Sequence, residues 1–221
     1  MQGTLCRAAR DLFGAECAVS GCSRTDSGVH ARDFAATLET DSATVIPDEK
    51  LPRALMAHLP PEITVYSAKS VDPSYSVRRH VADKEYEYVI LNSPSPSPFL
   101  TGRAWHIPFL LDEAAMNEAA AAFVGKHDFS AFMASGSGVK NTERTVSLCK
   151  VTRDGDLLKI NVAADGFLYN MVRIIVGTLV EVGAGKLGAG KIGEIISGRK
   201  RSDAGRTAPP DGLYLLRVDL K

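Results

Sequence analysis

Apolar positions recur at helical spacing over residues 4–13 and stop at Gly14, which predicts an opening helix. Residues 16–20 read as a short strand and 34–39 as the next. Between them, 21–30 form a loop rich in Ser, Gly and Asp. Residues 47–58 have helical character, limited near the start by Pro52, and 64–72 read as a strand. Aromatic alternation marks 83–92 as a strand, after which three prolines break the chain over 93–98. An alanine-rich helix over 111–124 precedes a long polar loop, 128–141, that carries Phe129 and Phe132. Strands over 145–153 and 157–164 are joined by Asp154-Gly155, a hairpin signal. A helix over 167–182, a short one over 191–197 and a strand over 213–218 complete the chain. Hairpins with few helices imply an α+β fold with antiparallel sheets, divided near residue 83 into halves 1–82 and 83–221.

Composition narrows this picture only slightly. The 221 residues are 45% hydrophobic and 24% charged, which suits a globular chain with a real core. A net charge of zero excludes a protein basic all over, but a groove for nucleic acid needs only local positive charge. Arg199, Lys200, Arg201 and Arg206 form one such basic stretch, and Lys140 and Arg144 could join it at phosphates. The alternative is a solvated surface. Cys6, Cys17, Cys22 and Cys149 contain no CxxC pair, so no metal site is expected. Arg7 and Arg10 break any early leader-like run, and Arg173 and Glu181 interrupt the longest apolar stretch. A cytoplasmic protein with no membrane span is expected.

Two glycine patterns suggest nucleotides. Residues 183–188 satisfy GxGxxG, but the preceding segment has helical spacing, so a helix-ending glycine stop is the better reading. Residues 185–191 satisfy GxxxxGK, yet Ile192 stands where a P-loop needs Ser or Thr. A P-loop-like NTPase at 185–191 is therefore a remote alternative.

Three places could carry other chemistry. Arg24-Thr25-Asp26-Ser27-Gly28 is a turn in which Asp26 either caps backbone amides or presents a reactive carboxylate. Arg173 lies on a helix apolar on nearly every side. Its guanidinium needs an anion or a route to water: it either snorkels at one edge or pairs with a functional carboxylate. In Lys84-Glu85-Tyr86-Glu87-Tyr88, alternation puts Tyr86 and Tyr88 on one sheet face, as packing or as a platform for a nucleobase.

Residues 21–31, Gly-Cys-Ser-Arg-Thr-Asp-Ser-Gly-Val-His-Ala, resemble the signature loop of the TruA family of tRNA pseudouridine synthases. Further resemblances follow in order along the chain. They are Arg78 through the Tyr86-x-Tyr88 strand, the Phe129/Phe132 loop with Arg144-Thr145, the helix from Phe167 through Met171-Val172-Arg173 to Gly177, and Thr207-Ala208-Pro209 with Gly212-Leu213. Five motifs in one order are far more specific than any one of them.

The resemblance implies isomerisation of uridine to pseudouridine in the tRNA anticodon stem-loop, at positions 38, 39 and 40, without cofactor or metal. By position, Asp26 matches the catalytic aspartate, Arg173 its paired arginine and Tyr86 the tyrosine that stacks on the target base. Arg24 and Arg78 match substrate-binding arginines. His30 and His127 sit in matching motifs without a catalytic role. The implied fold is two RRM-like halves whose antiparallel sheets meet around a central cleft, in a homodimer that binds tRNA. Three departures stand out. The family's opening strand and its Y-x-G…W/F-x-x-Q loop have no counterpart, so the N-terminal strand is expected to be missing. Ser23 and Ser27 replace a usual Gly and Ala. A tRNA-binding relative, inactive through that missing strand, is the competing reading.

Overall fold

The computed structural model describes all residues, Met1 to Lys221. The elements run α1 (Gln2–Phe13), β1 (Cys17–Gly21), β2 (His30–Ala31), β3 (Ala36–Thr40), α2 (Leu51–Met56), α3 (Val77–His80) and β4 (Val81–Leu91). Then follow β5 (Trp105–His106), α4 (Glu113–Ala121), β6 (Gly125–Asp128), β7 (Glu143–Asp154) and β8 (Leu157–Ala164). The chain ends with α5 (Met171–Gly183), α6 (Lys191–Gly198) and β9 (Leu213–Leu220). This is a mixed α/β protein. No helix is long and apolar enough to cross a membrane.

Two compact units divide the chain. The first comprises Met1–Arg24 and Phe34–His80, the second Thr25–Asp33 and Val81–Lys221. The first unit ends at His80. The segment that carries Asp26, however, is grouped with the second unit rather than with the first half of the chain.

In the first unit, β1 pairs antiparallel with β3, from Cys17↔Thr40 to Gly21↔Ala36. Helix α1 packs Ala8 and Ala9 inward and ends at Gly14, whose φ of 63° allows its N–H to bond the Arg10 carbonyl. Residues 64–72, expected as a strand, join no ladder. A strand needs a paired neighbour, and β1 and β3 form a sheet of two.

The second unit has a seven-stranded sheet of order β2-β9-β4-β8-β7-β6, with β5 paired to β4. It is mixed rather than purely antiparallel: β2–β9 and β4–β5 are parallel. Period-two burial puts Leu158, Ile160 and Val162 of β8 into the core. Tyr88 and Ile90 of β4 are likewise fully buried. Helix α5 is buried along most of its length, with Ile174, Ile175, Val176 and Leu179 at 0% exposure. Each such aliphatic side chain contributes roughly 1.5–3 kcal/mol by burial.

The helix expected over 167–182 begins only at Met171. Asn170 adopts φ 59°, a left-handed conformation that breaks the helical path. At the other end, Gly185 has φ 70° and its N–H bonds the Val182 carbonyl, so the glycines here terminate a helix. The P-loop alternative fails on the same geometry. Helix α5, not a strand, leads into residues 185–191, and Lys191 Nζ pairs with Glu194 at 2.8 Å.

Candidate active site

Asp26 opens a tight turn in which the Val29 N–H donates to the Asp26 carbonyl at 3.1 Å. Gly28 is the third residue of that turn, with φ 85°. A side chain is strained there, and a Cβ would also lie 3.0 Å from Pro210 Cγ. The turn therefore seats closely on Pro210. Its far end is anchored by β2, where His30 pairs with Tyr214 and Ala31 with Leu215 of β9. The Arg32 N–H adds a bond to the Leu215 carbonyl at 2.8 Å, and Asp33 Oδ2 accepts from the Val218 N–H at 2.9 Å. The His30 ring stacks on Tyr214 and its Nε2 lies 2.9 Å from the Gly102 carbonyl.

Arg173 reaches this loop from α5, across 147 positions of sequence. Its Nη1 donates to Asp26 Oδ2 at 2.7 Å. Nη1 also donates to Asn170 Oδ1 at 2.9 Å, and Nε donates to the Ala208 carbonyl at 2.7 Å. The Arg173 side chain is 16% exposed and that of Asp26 33%, so the pair is partly screened yet its carboxylate is reachable. An arginine on an apolar helix needed an anion, and Asp26 is that anion.

Residues 205–212 form a strap over α5. The Ala208 N–H donates to the Arg173 carbonyl at 3.0 Å, while the Arg173 side chain holds the Ala208 carbonyl in return. The Gly205 N–H donates to Thr178 Oγ1 at 2.9 Å, which satisfies the buried Thr178. Gly177 makes the approach possible: a Cβ there would sit 1.7 Å from the Arg206 carbonyl oxygen. Tyr88, fully buried on β4, donates its phenol to the Pro209 carbonyl at 2.7 Å. Burial pushes that phenol well above its ordinary range, against the pull of the nearby Arg173 charge.

Tyr86 lies in β4 opposite Val162 of β8 and Leu215 of β9. It is only 6% exposed, and its ring meets Phe167 edge-on at 5.0 Å between centroids. Tyr86 and Tyr88 are thus both core residues of one sheet face. Arg24 and Arg78 belong to the first unit, where both side chains are exposed. The geometry joins Asp26 to Arg173 directly and puts Tyr86 in the same unit.

Several side chains of the basic stretch have partners within the chain, although Arg199, Lys200 and Arg206 stay exposed. Arg201 donates to the carbonyls of Ala204 and Gly205 and to Thr207 Oγ1. Arg199 pairs with Asp128 at 3.2 Å, and Arg206 lies 4.7 Å over the Trp105 ring. Arg144 donates to the carbonyls of Asn141 and Glu143. His127 Nε2 lies 3.1 Å from the Val124 carbonyl. Sequence reasoning assigned no role to Asn170 or to the Ala208 carbonyl. Only Asn170 left a signal, as a polar residue at the mouth of an apolar helix.

A family profile described as tRNA pseudouridine synthase matches residues 119–220, a span that includes Arg173 but not Asp26 or Tyr86. Individual relatives extend the similarity over nearly the whole chain. A protein of Acetivibrio thermocellus named tRNA pseudouridine synthase A is 45% identical over 218 residues, covering 99% of this chain and 88% of the relative. A Thermoanaerobacter protein of the same name is 44% identical with the same coverage. One from Methylacidiphilum infernorum, again of that name, is 46% identical over 202 residues, or 91% of this chain and 78% of the relative.

Proposed function

The chain belongs to the tRNA pseudouridine synthase family, and we propose that it isomerises uridine to pseudouridine in the tRNA anticodon stem-loop, at positions 38, 39 and 40, with Asp26 as the catalytic carboxylate. The observation that carries this reading is the 2.7 Å bond from Arg173 to Asp26 on a loop whose far end is anchored to β9.

The reaction breaks the bond from C1′ to N1, turns the uracil and joins C1′ to C5. C5 loses a proton and N1 gains one, so the composition is unchanged. A carboxylate serves the first step by attacking C1′ or by stabilising positive charge there. Both roles require the oxygen to be held in one place, and the Arg173 contact supplies that. The target uridine must leave its stack to reach Asp26. In this reading Tyr86 holds the detached base by stacking and assists loss of the C5 proton. Arg24 and Arg78 take up substrate contacts. The reaction so written uses no cofactor or metal. In this reading the chain is two RRM-like halves, 1–82 and 83–221, and works as a cytoplasmic homodimer, whose assembly light scattering measures directly.

The test is incubation with unmodified tRNA and chemical mapping of pseudouridine. The parent protein forms pseudouridine in the anticodon stem-loop. Asp26→Ala folds and binds tRNA but forms none. An active Asp26→Ala variant would refute the mechanism. A parent protein that binds tRNA without converting it would instead identify a non-catalytic RNA-binding relative.

A further inference from the structure

Asn170 touches the site without a part in the reaction as proposed. It precedes α5 at φ 59° and is one of two non-glycine residues, with Arg199, at positive φ. That conformation is unfavourable for side chains with a Cβ, although asparagine tolerates it better than most. An asparagine before a helix ordinarily turns its side-chain oxygen onto the free amides of the first turn. Asn170 makes no such cap. The first turn of α5 also lacks an acidic residue that would favour its N-terminus. Two local preferences, of backbone and of cap, are thus overridden at one residue.

The guanidinium of Arg173 is what both departures serve. Asn170 Oδ1 accepts from Nη1 at 2.9 Å, and Nη1 is the nitrogen that donates to Asp26 Oδ2 at 2.7 Å. Its two hydrogens therefore have one acceptor each. With Nε held by the Ala208 carbonyl, three of the five guanidinium N–H groups point in defined directions. Removal of Asn170 Oδ1 leaves one Nη1 hydrogen unpaired on a side chain only 16% exposed. The guanidinium then turns to recover a partner, and the Asp26 carboxylate moves with it.

We infer that Asn170 is a positioning residue: it sets the Arg173 guanidinium and, through it, the Asp26 carboxylate. This rests on the reading of Asp26 as the catalytic group. Left-handed asparagine at this point is required for its side chain and not for the turn.

Two variants separate those roles. Asn170→Gly adopts positive φ freely, so it removes the oxygen and leaves the backbone at ease. Asn170→Asp keeps an acceptor and a residue type tolerant of the left-handed region. Turnover of unmodified tRNA by both is compared with the parent and with Asp26→Ala. The Gly variant stays folded at the assay temperature, keeps its KM for tRNA and loses kcat roughly 10- to 100-fold, as expected of a misplaced reacting group. The Asp variant recovers most of that loss. Parental kcat in the Gly variant, or equal losses in both variants, would overturn the positioning role. If Asp26→Ala is inactive while Asn170→Gly is fully active, the positioning role alone fails. If Asp26→Ala turns over normally, the mechanism and the inference fall together.

Discussion

Two arginines hold neighbouring stretches of the same strap, and they spend their hydrogen bonds differently. Arg201 gives all three to the chain around it: the carbonyls of Ala204 and Gly205 and the hydroxyl of Thr207. Arg173 gives one to the strap, at the Ala208 carbonyl, one to Asn170 and one to the carboxylate of Asp26. A guanidinium bound wholly to carbonyls and a hydroxyl orders a loop. A guanidinium bound to a part-exposed carboxylate on a separate loop orients a group that can still meet a ligand. The difference between Arg201 and Arg173, which the proposed mechanism makes functional, therefore lies in the acceptors, because both side chains are well bonded.

The sharpest way to break this comparison is to remove Arg173, the arginine that the proposed mechanism uses. Arg173→Met is expected to lower turnover about 10³-fold, on the scale seen when a preorganised charge partner is lost at a reacting centre. It also leaves Asp26 without its counter-charge and the Ala208 carbonyl without its donor. The stability cost is about 2 kcal/mol, less than for a fully buried pair because the Asp26 side chain is 33% exposed. Turnover and thermal unfolding measured on one preparation read both effects. Normal turnover would return Arg173 to the class of Arg201.

The next effect concerns the surface under the strap. Gly177→Ala puts a methyl group 1.7 Å from the Arg206 carbonyl oxygen, a distance no side-chain rotation can relieve because both partners are backbone-fixed. Strap and helix must separate, at a cost of about 3 kcal/mol. Turnover falls as well, because the Ala208 carbonyl is carried away from Arg173. An unchanged melting temperature in the Gly177→Ala variant would mean that the strap is not pinned there.

What the sequence revealed follows from what a residue pattern can encode. The β7–β8 hairpin was legible because alternation and Asp154-Gly155 agree, and Gly155 indeed turns at φ 58°. Arg173 was legible as a residue in need of an anion because the apolar positions around it mark the whole helix as buried. Asp26 was its partner by resemblance, and the ion pair is present. Other features left no pattern. Strand β2 is two residues long and parallel, too short for any periodicity. Residues 64–72 show the opposite failure, an expected strand that joins no ladder. The bonds within the basic stretch were also hidden, because sequence shows that a residue is charged but not which carbonyls lie within its reach. The strap was hidden for the same reason: its bonds to Arg173 and Tyr88 use the backbone oxygens of Ala208 and Pro209, which every residue type possesses.

The smallest effect tests the other arginine. Arg201→Met removes three neutral-acceptor hydrogen bonds at a partly exposed position, for a cost of about 1–2 kcal/mol. The methionine retains part of the aliphatic packing, so the loss reports mainly on those bonds. The melting temperature falls by a few degrees, while kcat measured well below the transition stays near the parental value. That asymmetry is decisive because the Ala208 carbonyl keeps its bond to Arg173 when Thr207 is released. A variant that folds normally yet loses turnover as Arg173→Met does would show that Arg201 also bears on the reaction, and the distinction by acceptor would have to be abandoned.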